Sequence, residues 1–200
     1  MRQLSKRILI LCEDKKSSQN YLKSFKKDEE LKRNLSAVDV DIYQPEDFSP
    51  VGLVKEAIAR KKEAKKANNK YDLIWVVLDK DGHANMPKAY DMAVSNNIKF
   101  GLSIKCFEYW IILHYEQTRR GFSTCDEVIK YLRKTHIEDY EKGKNIFDIL
   151  KPLFDVAIKN GKWLEKEIIN SMQKDAKIYN ESAYTNLHEL VELFLKPQNI

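Results

Sequence analysis

Two short apolar runs, each closed by a carboxylate, constrain this chain more than anything else in it. Residues 7–12 read Arg-Ile-Leu-Ile-Leu-Cys and end at Glu13; residues 73–78 read Leu-Ile-Trp-Val-Val-Leu and end at Asp79-Lys80-Asp81. Bounded runs rich in branched aliphatic residues read as strands buried on both faces, the mark of a parallel sheet. In an open α/β sheet, ligands sit beyond the carboxyl ends of the strands. If the two strands are neighbours, Glu13, Asp79 and Asp81 converge on one point. Three carboxylates there repel one another unless a cation lies among them. Oxygen-only donors suit Mg²⁺ or Mn²⁺, and such an ion polarises a phosphodiester and activates a bound water. The plainer reading is that strand-end acids are turn and cap residues, since Asp81-Gly82 is a common turn pair.

The rest of the chain supports an α/β class. Residues 38–43 alternate (Val38, Val40, Ile42), and residues 98–103 (Ile98, Phe100, Leu102) suggest a fourth strand. Helices are expected over 15–33, from Ser49-Pro50 to Asn68-Asn69, and over about 86–95. Ser49 there is an N-cap and Pro50 a first helical residue. Strands and helices alternating at this spacing indicate βαβ units. From residue 106 the pattern is helical, with helices near 106–117, 124–134, 146–159, 162–173 and 184–195, punctuated by Gly121, Gly143 and Gly161. The expected architecture is a Rossmann-like core of about four parallel strands flanked by helices, residues 1–117. A helical C-terminal half, residues 118–200, packs on it as one globular unit.

Composition narrows the class. Apolar residues make up 43% and charged residues 32% of 200, which fits a folded globule rather than a disordered chain. No apolar run approaches a membrane span. The N-terminal run is too short for a secretory signal. A cytoplasmic protein is expected. Cys12, Cys106 and Cys125 show no Cys-x-x-Cys spacing, so the sequence supports neither a disulfide framework nor a zinc site. The net charge of +5 is uneven: Arg60, Lys61, Lys62, Lys65 and Lys66 crowd one helical stretch. That stretch suits a polyanion such as nucleic acid, or is a solvated helix face. Neither phosphate-binding glycine loop occurs, so any ATP dependence would come from another chain.

Further candidates lie near the proposed strand ends. Glu108 opens a helix that is apolar all round, where a carboxylate must be paired, cap its helix or bind a cation; Lys105 is one possible partner. His83 follows Asp81 and could contact a phosphate or act as acid or base. His114 reads as a core histidine before a catalytic one. The polar stretch Asn180–His188 reads as a helix cap, or brings His188 to the site.

Taken in order, these residues resemble the RloB-like family of phage-defence loci. Ile10-Leu11-Cys12-Glu13, Lys16 and Asn20-Tyr21 match its opening motif, and Leu78 to His83 its central acidic motif. Ser103 with Cys106 to Tyr115 is the most specific stretch, and Asn180 to Glu192 matches its close. Asp14 stands where the family has glycine, Ser17-Ser18 where it has Thr-Glu, and Ile104-Lys105 where it has Asn-Pro. The resemblance implies a toprim-type fold in which Glu13, Asp79 and Asp81 hold Mg²⁺ or Mn²⁺. It implies a nuclease acting on RNA (tRNA included) or DNA, controlled by an ATPase encoded nearby. On this view Glu108 supports the metal or a second ion, and Lys16 and His83 contact the scissile phosphate. Self-association stays open. Two rival classes are a catalytically degenerate binding or regulatory subunit and a receiver-type phosphoacceptor, which the second acid Asp81 and the helical second half oppose.

Overall fold

The computed structural model describes residues 6–14, 16–43, 45–80, 82 and 85–197. Strands β1 (Lys6–Cys12), β2 (Val38–Tyr43), β3 (Leu73–Lys80) and β4 (Lys99–Ile104) form one sheet in the order β2-β1-β3-β4, every pair parallel. The two apolar runs are the two central strands. Ile8 to Cys12 and Ile74 to Leu78 are buried without a break, so both faces of the sheet are covered. Edge strand β2 instead buries only Val40 fully, as its alternating sequence requires.

Nine helices lie among the described residues: α1 (Ser17–Lys27), α2 (Leu31–Asn34), α3 (Pro50–Lys66), α4 (Met86–Ser95), α5 (Glu108–Ile112), α6 (Cys125–Thr135), α7 (Phe147–Leu150), α8 (Phe154–Ser171) and α9 (Leu187–Leu195). Helix α3 starts as its sequence predicts, with Ser49 Oγ accepting from Gly52 N at 3.0 Å. Right-handed crossovers set α1 on one face of the sheet and α3 and α4 on the other. The chain leaves β1 towards β2, then returns past β1 to form β3. The β1/β3 boundary is therefore the topological switch point, where a crevice opens at the carboxyl ends. Both halves of the chain share one core. Phe25 of α1 stacks on Phe154 of α8 (5.1 Å) and meets Phe147 and Phe194 edge-on.

Several helix boundaries differ from the sequence pattern. The helix expected over 15–33 breaks at Asp28, whose backbone turns extended and whose carboxylate binds Lys151 at 2.8 Å. Residues 146–159 divide into α7, a 3₁₀ turn Lys151–Leu153 and the start of α8, because Pro152 has no N–H to continue a helix. Gly161 does not end a helix. It lies within α8, where a Cβ would come within 2.8 Å of the His188 side chain, so glycine permits close approach of α9. The helix expected over 106–117 has helical residues only at 108–112, then tightens into i→i+3 turns at His114 and Tyr115.

The polar stretch before α9 serves the sheet rather than the helix. Asn186 makes no side-chain cap. Its Oδ1 accepts from Leu102 N and its Nδ2 donates to Phe100 O, both at 2.8 Å. Ile104 N donates to Tyr184 O, and Ser103 bridges Thr185. The open edge of β4 is thus paired, which removes a template for edge-to-edge association. His188 is buried in α9 and pairs with Glu165 of α8 at 3.4 Å.

Candidate metal-binding acidic site

At the switch point the two strand-end acids meet. Glu13 N donates to Val77 O, which extends the β1–β3 ladder by one residue. The Glu13 side chain then folds across the end of β3, and its Oε2 accepts from Asp79 N at 2.9 Å. The loop beyond is fixed by Asp14. Its carboxylate accepts from the N–H groups of Lys16, Ser17 and Ser18 and so closes the N-terminus of α1. The residue in the glycine position of the family motif is therefore a helix cap. Lys16 is exposed on this loop, with its aliphatic stem against Gly143.

The third carboxylate arrives from β4. Lys105 adopts a left-handed conformation (φ 75°) and its N–H donates to Lys80 O, which turns the chain sharply back over the end of β3. Phe107 then donates its N–H to the Asp79 carboxylate. Glu108, one residue on, is fully buried. Its Oε1 accepts from Tyr140 OH at 2.8 Å and from Ser17 Oγ at 3.3 Å, and its Oε2 faces Cys125 Sγ at 3.9 Å. Its hydrogen bonds thus run to these groups rather than to Lys105.

These placements set the electrostatics. The Asp79 carboxyl is held well above the usual carboxylate range, first by burial, then by the like charges of Glu108 and Glu13; Phe107 N–H and Lys142 act in the opposite sense. Burial opposes the charge of Lys142, yet Glu108, Cys125, Cys106 and Asp79 together hold its ammonium above the ordinary lysine range. A group of acids that raises a member's pKa in this way favours a cation among them. All their donors are oxygen, which fits Mg²⁺ or Mn²⁺.

The profile of the family described as RloB-like protein matches residues 8–194. The chain belongs to the RloB-like family. The matched span contains Glu13, Asp79 and Glu108, and among curated proteins no sequence matches. Asp81 and His83 of this RloB-like chain lie outside the described residues. Among the described residues no helix is long and apolar enough to cross a membrane.

The basic stretch is elsewhere. Helix α3 begins near the carboxyl end of β2 and runs back, so residues 61–66 lie towards the amino edge of the sheet, while Arg60 still reaches Tyr43 at the carboxyl end of β2. Arg60 pairs with Glu56 at 2.7 Å and lies over the Tyr43 ring at 3.9 Å. Lys61 donates to Asn96 O, while Lys62, Lys65 and Lys66 are exposed. Another cationic surface escaped the sequence reading: a groove of about 410 Å³ lined by Arg120, Phe122, Lys130, Tyr131 and Lys134. Arg120 lies over the Tyr131 ring at 4.6 Å. Its residues are spread over 120–135 at no telling spacing, so only the turn into α6 reveals it.

The sequence also missed a cluster beside the acids. Cys106, Glu108 and Cys125 each offer a ligand atom, all within 4.8 Å of one another. Seventeen residues separate Glu108 from Cys125, and the α5–α6 connection closes that distance. Cys125 is the readier thiolate: the hydrogen bond with Cys106 favours it against burial and Glu108, and Lys142 adds to it. The same bond, burial and Glu108 push the Cys106 thiol up.

His114 is a core residue. Its Nδ1 lies 3.0 Å from Trp110 O and its Nε2 3.5 Å from Tyr21 OH, while Trp110 Nε1–H donates to Tyr21 OH at 3.1 Å. A neutral ring with Nδ1–H donating and Nε2 accepting satisfies this whole relay.

Proposed function

We propose that the chain is a Mg²⁺- or Mn²⁺-dependent nuclease, acting on RNA or DNA as an effector of phage defence with a partner ATPase. The observation that supports this reading is the folding of Glu13 across the end of β3 onto Asp79 N, with Glu108 delivered to the same point by the Lys105 turn. Glu13 and Asp79 would hold the ion, joined by Asp81. Bound there, the ion would polarise a phosphodiester and lower the pKa of a coordinated water. The residues of the chain itself set the frame. Asp14 fixes the loop, Phe107 N–H orients the Asp79 carboxylate, and Tyr140 and Ser17 orient Glu108. Lys16, and His83 beyond the described residues, are proposed contacts to the substrate phosphate. The absence of a phosphate-binding glycine loop in the sequence leaves ATP to the partner.

A second reading is a catalytically degenerate regulatory subunit. Lys142 favours it, since its ammonium already offsets part of the acidic charge. Calorimetric titration of Mn²⁺ into wild type and Asp79→Asn separates the two. The nuclease reading expects binding in wild type that falls at least about tenfold in the variant, together with loss of divalent-dependent cleavage of tRNA, single-stranded RNA and DNA. Cleavage undiminished in Asp79→Asn would overturn it.

A further inference from the structure

Beside the oxygen-only acids sits a donor set of different chemistry. Cys106 lies at the end of the Lys105 turn, Glu108 in the first turn of α5 and Cys125 in the first turn of α6. Their sulfur and oxygen atoms lie within 4.8 Å of one another. In a tetrahedral zinc site, with Zn–S of about 2.3 Å and Zn–O of about 2.1 Å, sulfurs stand ~3.8 Å apart and sulfur to oxygen ~3.6 Å. The observed Cys125 Sγ to Glu108 Oε2 separation is 3.9 Å.

Glu108 makes this more than a coincidence of types. Its side chain is fully buried, among the described residues its hydrogen bonds come from two hydroxyls and a thiol, and the ammonium that acts on it, Lys142, donates to Cys125 Sγ at 3.6 Å. Lys142 offsets part of that buried charge, so an ion bound here would replace the ammonium at the sulfur. Both hydroxyls, Tyr140 and Ser17, bind Oε1. Oε2 is left to face the thiols. One oxygen anchored and the other presented is how outer-shell groups orient a ligating carboxylate. Cys125 is half-buried, so an ion has a way in, and Cys106 beneath it is fully buried.

We infer that Cys106, Glu108 and Cys125 form a site for a thiophilic divalent cation, best fitted by Zn²⁺. Each thiol gives its proton to solvent on binding, and Tyr140 and Ser17 position the carboxylate. Three protein ligands leave the fourth corner open, as in zinc sites that bind water or substrate. The inference shares Glu108 with the acidic site and stands on the thiols, so it does not depend on the nuclease reading.

The test uses the full chain, reduced with a phosphine and freed of metal. Zn²⁺ is measured by competition with a chromogenic chelator, and Co²⁺ by its thiolate charge-transfer absorption. The expected result is one ion per chain, a charge-transfer band with Co²⁺, and slowed alkylation of Cys125 in the presence of Zn²⁺. Cys125→Ser should abolish the band and Tyr140→Phe should weaken Zn²⁺ about tenfold, whereas Asp79→Asn should keep both. Circular dichroism checks that each variant is folded; Cys125, being half-buried, is the substitution least exposed to misfolding. Three outcomes would overturn the site: no charge-transfer band in wild type, undiminished Zn²⁺ binding in Cys125→Ser, or binding lost in Asp79→Asn but kept in Cys125→Ser. Because Mn²⁺ affinity is read separately through Asp79→Asn, failure here and failure of the nuclease reading are distinguishable.

Discussion

Asp79 shows how one residue joins chemistry to instability. It lies at the end of the strongest strand of the sheet, and the burial and neighbouring acids that make it a candidate metal ligand also make its charge costly. The backbone bond from Phe107 relieves only part of that cost. An uncharged isostere keeps an oxygen for Phe107 N–H and removes the repulsion from Glu108 and Glu13. Asp79→Asn should therefore melt at a higher temperature than wild type when divalent ions are absent, while losing Mn²⁺. A lower melting temperature would mean that the neighbouring charges already compensate Asp79. Stability given up at a binding site in this way is the usual trade between folding and function. Asp14 is the opposite case: its carboxylate is engaged by three backbone N–H groups at the start of α1.

Among the elements, β4 depends most on partners distant in sequence. It is an edge strand, yet Phe100, Leu102, Ser103 and Ile104 are nearly as buried as the central strands. The reason is the segment before α9, where the Asn186 amide satisfies an N–H and a C=O of β4 as a neighbouring strand would. Removing that amide leaves both groups buried and unpaired. Asn186→Ala should cost about 2–4 kcal/mol in urea unfolding, with no direct effect on Mn²⁺ affinity because Glu13 and Asp79 stand at the ends of β1 and β3. A loss under about 0.5 kcal/mol would show that water replaces the amide. The same element scale explains the interrupted C-terminal helices: Pro152 breaks one, while Gly161 only thins another to admit His188.

At the scale of the whole molecule, the shared aromatic core sets an acid limit. His114 lies in the wall where α1 meets the C-terminal helices, with Tyr21, Trp110 and Phe154 around it. Burial lowers its pKa from 6.5 to about 4, against two backbone hydrogen bonds that favour its proton. Below pH 6.5 the unfolded chain takes a proton that the folded chain refuses. Stability is therefore fully retained above pH 6.5 and declines as the pH falls towards about 4. The total is about 3 kcal/mol. His114→Gln should be less stable at neutral pH but show a shallower loss across that window, measured by urea unfolding at several pH values. An unchanged slope would assign the acid sensitivity to carboxylates instead. The molecule also keeps its charges apart, with the acids at the carboxyl edge of the sheet and the basic end of α3 at the amino edge. A nucleic acid at the acidic crevice would not reach residues 61–66 without wrapping the domain.

What the sequence determined by itself was the sheet and the acids that end it. Unbroken apolar runs and a Ser-Pro helix start are local signals, and parallel pairing of two such runs forces Glu13 and Asp79 to the same edge. The four-strand parallel fold followed from those signals, and the RloB-like family from the resemblance of the stretches around Glu13, Asp79 and Glu108 and of Asn180 to Glu192. Only the tertiary structure decided the rest, because it depends on turns whose geometry no spacing encodes. The left-handed Lys105 delivers Glu108 and Cys106 to the end of β3. The path from α5 to α6 brings Cys125 within reach of both, and Asn186 finds β4 from 84 and 86 residues away. Cys106 and Cys125, whose spacing carries no signal in the sequence, thus come together, once folded, beside a buried carboxylate.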